Sequence, residues 1–399
     1  MVLMGTIQWR RLGGLALGLT TALVMLTSCV SAPPPGPTVA TAQPTTTPQV
    51  AAFLRARWAE QLGDWPQAAQ QYQFLANTAP VSMAEQERLF AWQLVAGDIP
   101  AAAKTATTLL TDPEAEHNLP RLTLVARAVQ QGDLALAQKH LQAMPATLQT
   151  ELLPYGLLST YLQVALGQTP SAAAIETLRH WPTDIAFEAE KLYHVGRLWA
   201  AQGEMTNARQ AWAQALALNP THIGAMLAQT HALLAAGDKT QAAILAQTYA
   251  LLKPKSGLFT GPAPTLVGLE TSTAAHVAEV CYALATLMLG QGASLSGQQL
   301  LQLAWALAPQ PHYAFYLGVL AEEQEDYTGA ALWYGRVPTG HPLTVAAQVR
   351  VAVVTALQDD VTAARQQLQA LIKAGAGTPL VLLTLAELAF EHDDFTGAV

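Results

Sequence analysis

The residues that could do chemistry in this chain are few and widely spaced. None of the ten histidines forms a His-x-x-x-His pair, and none lies at metal-ligand spacing from Cys281. Residues 391–394 (Glu-His-Asp-Asp) are ligand types, but they occupy the position of a turn between two helices, where polar residues are expected. The sequence therefore predicts no metal site and no cofactor.

Motifs for hydrolysis and nucleotide binding are also missing. The chain has no Gly-x-Ser-x-Gly sequence and no P-loop lysine, and the glycine pair Gly290-x-Gly292 follows no predicted strand. Cys281 lies in the apolar run Val-Cys-Tyr-Ala-Leu, which is typical of a buried core thiol. We therefore expect a protein that is not an enzyme.

One cysteine does have a context that predicts chemistry. Arg10 and Arg11 precede an uncharged apolar run, residues 12–25, which is too short to span a membrane but suits the core of a secretory signal. The sequence Leu-Thr-Ser-Cys that ends at Cys29 resembles a bacterial lipobox. This resemblance implies that residues 1–28 are a lipoprotein signal peptide and that the thiol of Cys29 accepts diacylglycerol.

The segment after Cys29 is typical of a tether. Residues 29–50 contain six prolines, many threonines and no charged residue, so they cannot bury enough apolar surface to fold alone. Val30 stands where many inner-membrane lipoproteins have Asp. By that resemblance we expect the outer membrane, with the protein held by its lipid on the periplasmic face.

Composition narrows the choice of fold and partner. Only 12% of the residues are charged while 51% are hydrophobic, and the formal charge is −8. Ala, Leu and Gln predominate, which favours closely packed helices, and nothing indicates a sheet. A net negative surface repels phosphate backbones, so nucleic acid is not an expected partner.

The helices are predicted by a repeat that is clearest at residues 189–220. Leu192, Val195 and Trp199 fall on one face of a first helix, and Ala208, Trp212 and Ala215 on one face of a second, with Gly203 at the turn and Pro220 at the end. This unit resembles the tetratricopeptide repeat (TPR). The resemblance implies an all-α superhelical solenoid of antiparallel helix hairpins.

The turn recurs along the chain at intervals of 33 to 36 residues, with one interval of 55. The predicted turns are Gly63, Gly97, Gly132, Gly167, Gly203, Gly237, Gly292, Glu325, Gln358 and His392. A small residue stands five positions after each: Ala68, Ala102, Ala137, Ala172, Ala208, Ala242, Gly297, Ala330, Ala363 and Gly397. A larger side chain there would hold the two helices of a hairpin apart.

The long interval divides the predicted array into two parts. We expect a first TPR-like block at residues 51–254, a Pro/Gly-rich connection at 255–273 and a second block at 274–399. The last hairpin breaks off inside its second helix, so we expect a fragment of a longer chain.

The predicted function depends on the surface of the array. In a TPR superhelix the first helices line a concave groove that binds peptides or partner helices. Aromatic and arginine side chains are enriched at such sites. The predicted groove residues, on the helix faces left free by the packing rule, are Glu190, Tyr193, Arg197, His231, Tyr282 and Phe315.

These features favour a lipid-anchored periplasmic scaffold that binds a protein partner in cell-envelope assembly, similar to TPR lipoproteins of that compartment. Two alternatives remain open. One is a regulator of peptidoglycan synthesis similar to the penicillin-binding-protein activators. The other is the substrate-recruiting arm of an enzyme whose catalytic domain lies beyond Val399.

Overall fold

The computed structural model describes residues 48–78, 82–112, 118–145, 152–183, 185–253 and 270–391, without the side chains of residues 185 and 186. The signal peptide, Cys29, the predicted turn at His392 and nearly all of the predicted connection lie outside these ranges. Within them the secondary structure is helical throughout, and 19 α-helices follow one another along the chain.

Helices with odd numbers are the first helices of hairpins, and those with even numbers are the second. The first helices are α1 (Pro48–Gln61), α3 (Met83–Val95), α5 (Asn118–Gln130), α7 (Leu153–Ala165), α9 (Ile185–Ala201), α11 (Ile223–Ala235), α13 (Thr273–Gly290), α15 (Pro311–Glu323), α17 (Thr344–Leu357) and α19 (Pro379–Glu391). The second helices are α2 (Trp65–Thr78), α4 (Ile99–Leu109), α6 (Leu134–Gln142), α8 (Ser171–Arg179), α10 (Met205–Leu218), α12 (Lys239–Leu252), α14 (Ser294–Leu307), α16 (Tyr327–Tyr334) and α18 (Val361–Leu371).

The first eight hairpins turn where the sequence predicts, for a local reason. Gly97 has φ of 76°, a left-handed conformation that glycine adopts without steric cost, and the N–H of Asp98 donates to the carbonyl of Gln93 at 2.9 Å. The Asp98 carboxylate then caps α4 by accepting from the N–H of Ala101 at 3.1 Å. The same aspartate cap occurs at Asp64, Asp133 and Asp238, as predicted, and also at Asp326 and Asp360.

Two details of the predicted repeat are wrong. Ala172 is exposed and Ala174 is buried in its place, because Pro170 is the N-cap of α8 and delays the helix by two residues. In the ninth hairpin the left-handed residue is Asp359, with φ of 67°, rather than Gln358. The packing residue moves with it from Ala363 to the fully buried Ala364.

The small residues of the repeat let the helices of a hairpin approach closely. Ala68, Ala102, Ala137, Ala208 and Ala330 are completely buried. Glycines on first helices make a second close contact: a Cβ at Gly196 would lie 2.3 Å from Nε1 of Trp212, and one at Gly318 would lie 2.6 Å from the Tyr334 ring. These aromatic rings fill the space that the glycines leave, which gives the hairpins their dense packing.

The second block packs into the concave face of the first. α13 contacts α5 and α7, and α14 contacts α3 and α5, which are all first helices. One hydrophobic cluster contains Leu94, Val125 and Leu158 of the first block together with Val280 and Leu301 of the second. The predicted binding groove is therefore occupied by the chain's own helices.

Polar contacts reinforce this arrangement. The side chains of Gln299 and Gln302 donate to the carbonyls of Ala91 at 3.4 Å and Val95 at 3.1 Å, near the carboxyl end of α3. Nε1 of Trp65 in the first hairpin donates to Gln324 of the eighth at 3.2 Å. The two blocks thus form one body over the described residues.

Among the described helices, α13 is long and apolar enough to cross a membrane by length and composition. It is mostly buried against α14, α5 and α7, and it carries the buried side chains of His276 and Glu279. These contacts identify α13 as a core helix.

Candidate functional site

The densest group of titratable side chains lies where α13 and α15 meet α7, α9 and α11. We call it the buried polar cluster. Its members are Tyr161, Glu190, Tyr193, His194, Arg197, His222, His276, Glu279, Tyr282, His312 and Tyr313. Because the members come from both blocks, the cluster exists only when the second block lies in the groove of the first.

Arg197 links the two blocks at the centre of the cluster. Its Nη1 lies 3.2 Å from Oε1 of Glu279 and donates to the hydroxyl of Tyr193 at 3.0 Å. Its Nη2 donates to the backbone carbonyl of Glu270 at 2.8 Å. The guanidinium on α9 therefore binds both α13 and the residues just before it, by charge-assisted hydrogen bonds.

Glu279 is the partner of Arg197 on α13, and it is the one acid in an otherwise apolar helix. Its Oε1 also accepts from the hydroxyl of Tyr313 at 2.8 Å and lies 3.7 Å from Nε2 of His312. Burial opposes ionisation, but the charge of Arg197 outweighs it and the pKa of Glu279 is lowered. The carboxylate is thus held in its charged form.

Glu190 forms the second half of the cluster with two histidines. Its Oε1 lies 3.0 Å from Nε2 of His194 and its Oε2 lies 2.9 Å from Nε2 of His222. Burial raises the pKa of Glu190, but His222 and His194 more than offset this and hold it well below its usual range. One carboxylate therefore bridges α9 and the start of α11.

The ring nitrogens of these histidines have different partners. The Glu190 carboxylate can only accept, so Nε2 of His194 carries the proton given to it, while Nδ1 lies 2.7 Å from the Tyr161 hydroxyl. Nδ1 of His222 accepts from the N–H of Ala225 at 3.1 Å and caps α11. Burial disfavours the charged form of His222, but Glu190 outweighs burial and raises its pKa. A proton on Nδ1 would remove the acceptor for the Ala225 N–H, and α11 would then lose its cap.

Two other histidines are buried without a hydrogen bond to Nε2. The His276 ring stacks on Tyr161 at 4.3 Å, and burial followed by the charge of Arg197 lowers its pKa well below the usual value. His312 packs edge-on against Tyr282 at 4.9 Å, and burial lowers its pKa to about 4 although Glu279 acts in the opposite direction. Both rings are neutral at pH 7.

The series Tyr161–His194–Glu190 has the order of a proton relay, yet it has no access for a substrate. The Tyr161 side chain is 2% exposed and His194 is completely buried. A buried ion pair contributes little net stability, whereas removing one partner leaves an uncompensated charge and costs about 3–5 kcal/mol. The buried polar cluster therefore has a structural role, in which the Arg197–Glu279 pair holds α13 against α9.

The structure brings four of the six predicted groove residues together, but not on a free surface. Tyr193, Arg197 and Tyr282 are 2%, 3% and 7% exposed, so the prediction that they lie on open helix faces is wrong. Glu190 is partly buried between His194 and His222. The physical reason differs from residue to residue. Arg197 is covered by Glu279 of α13, Tyr193 packs against Gly224 of α11, and Tyr282 packs against His312 and Tyr313 of α15.

The other predicted residues lie apart from the cluster. His231 is half-buried on α11, where burial lowers its pKa. Phe315 is half-buried on α15 and packs within its own hairpin, with its ring 5.5 Å from that of Tyr334. Cys281 is fully buried, as predicted, and burial raises the pKa of its thiol to about 12.

Sequence reasoning missed the residues that complete the cluster, namely Tyr161, His194, His222, His276, Glu279, His312 and Tyr313. One signal was present. A single acid, Glu279, with a histidine three positions earlier, stands in an apolar helix of 18 residues. A charge in that setting requires a buried counter-charge, which Arg197 supplies in the structure.

No family model and no curated protein matches this chain. Among solved structures, a chain of the Naa15/Naa10 complex bound to HypK-THB is 16% identical, with 88% of this chain and 56% of that chain covered and a TM-score of 0.34. The C-terminal part of a TPR repeat-containing protein from Cytophaga hutchinsonii is 14% identical, with 65% and 96% covered and a TM-score of 0.36.

Yeast Tom70 is 13% identical, with 88% of this chain and 82% of that chain covered and a TM-score of 0.26. All three TM-scores are below 0.5, so these structures indicate no function for this chain. The turns, the small residues between helices and the order of the hairpins establish the fold: this chain is an all-α, TPR-like solenoid of antiparallel helix hairpins.

Proposed function

We propose that this protein is a lipid-anchored scaffold on the periplasmic face of the outer membrane and binds a protein partner in cell-envelope assembly. One structural observation supports binding on the outside of the array rather than in its groove. The second block packs against the first helices α3, α5 and α7 of the first block. The buried polar cluster fixes that arrangement, so the array presents its outer helices as a rigid surface.

The second helices α10 and α12 offer the surface that best suits a partner. Leu251 is 82% exposed, and Leu218 and Ile244 are each 50% exposed. Large apolar side chains on a rigid surface are typical of protein interaction sites. The partner therefore contacts the carboxyl ends of α10 and α12, where Leu218 and Leu251 lie, and a binding role of Tyr193 and Arg197 stays a prediction.

Photo-crosslinking in intact cells tests this surface. A crosslinking residue at Leu218 or at Leu251 should give the same adduct with one envelope protein. A crosslinking residue at Lys104, exposed on the outer helix α4, is the control and should not give it. If the adducts at Leu218 and Leu251 differ, or if they form with residues 254–269 of the same chain, this surface does not bind a partner.

The anchor is tested through the two cysteines of the chain. In Cys29→Ala the acyl acceptor is absent, so metabolic labelling with a fatty-acid analogue should be lost and the protein should leave the membrane fraction. Cys281→Ala is the matched control, because its buried thiol cannot be the acceptor, and it should keep the label. A Cys29→Ala protein that stays labelled and membrane-bound would contradict the lipid anchor.

A further inference from the structure

The first helix carries an unusual apolar surface, which we call the α1 stripe: Leu54, Trp58 and Leu62. These side chains are 58%, 63% and 65% exposed. They are spaced four residues apart, so they lie in a row along one side of the helix. Leu62 follows the last residue of α1 but continues its hydrogen-bond pattern, because its N–H donates to the Trp58 carbonyl at 3.1 Å. The opposite side is fixed, since Ala52, Ala56 and Ala59 are buried.

Within α1 the exposed charges have one sign. Arg55 is exposed and the Arg57 side chain is 43% exposed, whereas the side chain of Glu60, the one acid of α1, is 8% exposed. Glu60 is turned inward, where it pairs with Arg57 and Arg88 and accepts from Nε1 of Trp92 at 2.6 Å. The exposed side of α1 is thus apolar and cationic, on a chain with a formal charge of −8.

The position of α1 in the chain places it near a membrane. Between Cys29 and the first residue of α1 there are 18 residues, none of them charged. At a maximum of about 3.6 Å per residue, 18 residues span no more than roughly 65 Å. A helix tethered at this distance has a high effective concentration at the surface to which the tether is attached.

We propose that α1 lies against the anionic membrane surface, with the α1 stripe in the lipid interface and Arg55 and Arg57 at the headgroups. Tryptophan favours the interface, leucine enters the apolar boundary, and arginine is attracted to anionic headgroups. This contact orients the array relative to the membrane. The inference depends on the proposed membrane anchoring.

A single fluorescent label tests the contact in the full-length, lipidated protein. In Gln61→Cys the new thiol lies beside the stripe and is the accessible one, because the Cys29 thiol carries the lipid and Cys281 is buried. An environment-sensitive dye at this position, in vesicles of phosphatidylethanolamine and phosphatidylglycerol, should be quenched by lipid-borne quenchers about threefold more than the same dye at Lys104→Cys.

Two further variants decide the result. Leu54→Ser with Trp58→Ser should reduce quenching at position 61 to that at position 104, while Leu382→Ser with Leu383→Ser, an exposed pair on α19, should not. A dye at position 61 that stays in water while the protein remains on the vesicles overturns this inference but leaves the anchor intact. Protection that depends on protein concentration and not on lipid would identify a second copy as the occupant.

Discussion

At the scale of single residues, the buried histidines make the stability of the protein depend on pH. His312 is neutral in the folded state because burial lowers its pKa to about 4, against 6.5 in the unfolded chain. Below pH 6.5 the unfolded state binds a proton that the folded state does not, so stability is lost as pH falls towards 4. The pKa of His276 is lowered in the same direction, whereas that of His222 is raised and opposes the effect.

We predict that His312→Gln makes unfolding less sensitive to acid. A difference of about 2.5 pKa units corresponds to roughly 3 kcal/mol, so the wild type should lose about that much more unfolding free energy than the variant between pH 7.5 and pH 4. Urea unfolding across this range measures it. The lowered pKa of Glu279 should affect stability only at pH values below the usual pKa of a glutamate. Parallel stability curves for the two proteins would contradict this origin of the pH dependence.

At the scale of the helices, close packing inside a hairpin limits which residues can replace a glycine. A Cβ at Gly196 would meet the Trp212 ring, which is completely buried and donates through Nε1 to the Tyr193 carbonyl at 3.1 Å. A Cβ at Gly290, the last residue of α13, would meet nothing within 4 Å. The same substitution therefore has opposite consequences at the two positions.

We predict that Gly196→Ala lowers the unfolding free energy by about 1–3 kcal/mol, because the ring of Trp212 cannot move without losing contacts. Gly290→Ala, as the matched control, should raise it by up to about 1 kcal/mol, since alanine loses less backbone entropy in a helix. Thermal unfolding followed by circular dichroism compares them. Equal effects of the two substitutions would show that Trp212 does not restrict the hairpin.

At the scale of the whole molecule, the docking of the second block in the first should make the two unfold together. Arg197 and Glu279 belong to different blocks, and the hydrophobic cluster around them is continuous. Removing the charge of Glu279 leaves the Arg197 guanidinium buried without its counter-charge. The helices of both blocks at this contact should therefore become less stable.

We predict that Glu279→Gln lowers the unfolding free energy by about 3–5 kcal/mol and increases amide exchange in α5 and α7 as well as in α13. Glu176→Gln is the control. It removes a pair with Arg179, 3.6 Å apart within α8, which should cost less than about 1 kcal/mol because both side chains are exposed. Hydrogen exchange read by mass spectrometry distinguishes the outcomes, and exchange that increases in α13 alone would mean that the blocks are independent.

The sequence by itself determined the repeat. Turn glycines, aspartate caps and small packing residues are read from local spacing, because a left-handed turn and a close helix contact restrict the residue types allowed at single positions. That is why the turns from Gly63 to Glu325 lie at the predicted residues. The two errors, at Ala172 and Gln358, occurred where the chain inserted residues before a helix or used an aspartate in place of the turn glycine.

Only the tertiary structure decided which surfaces stay open. Whether α13 continues the array or folds back depends on contacts between residues more than a hundred positions apart, such as Gln302 with Val95, and no local pattern encodes them. The predicted groove residues Tyr193, Arg197 and Tyr282 therefore came together inside the molecule. A buried charge needs a counter-charge, and here the fold supplies it from the other block.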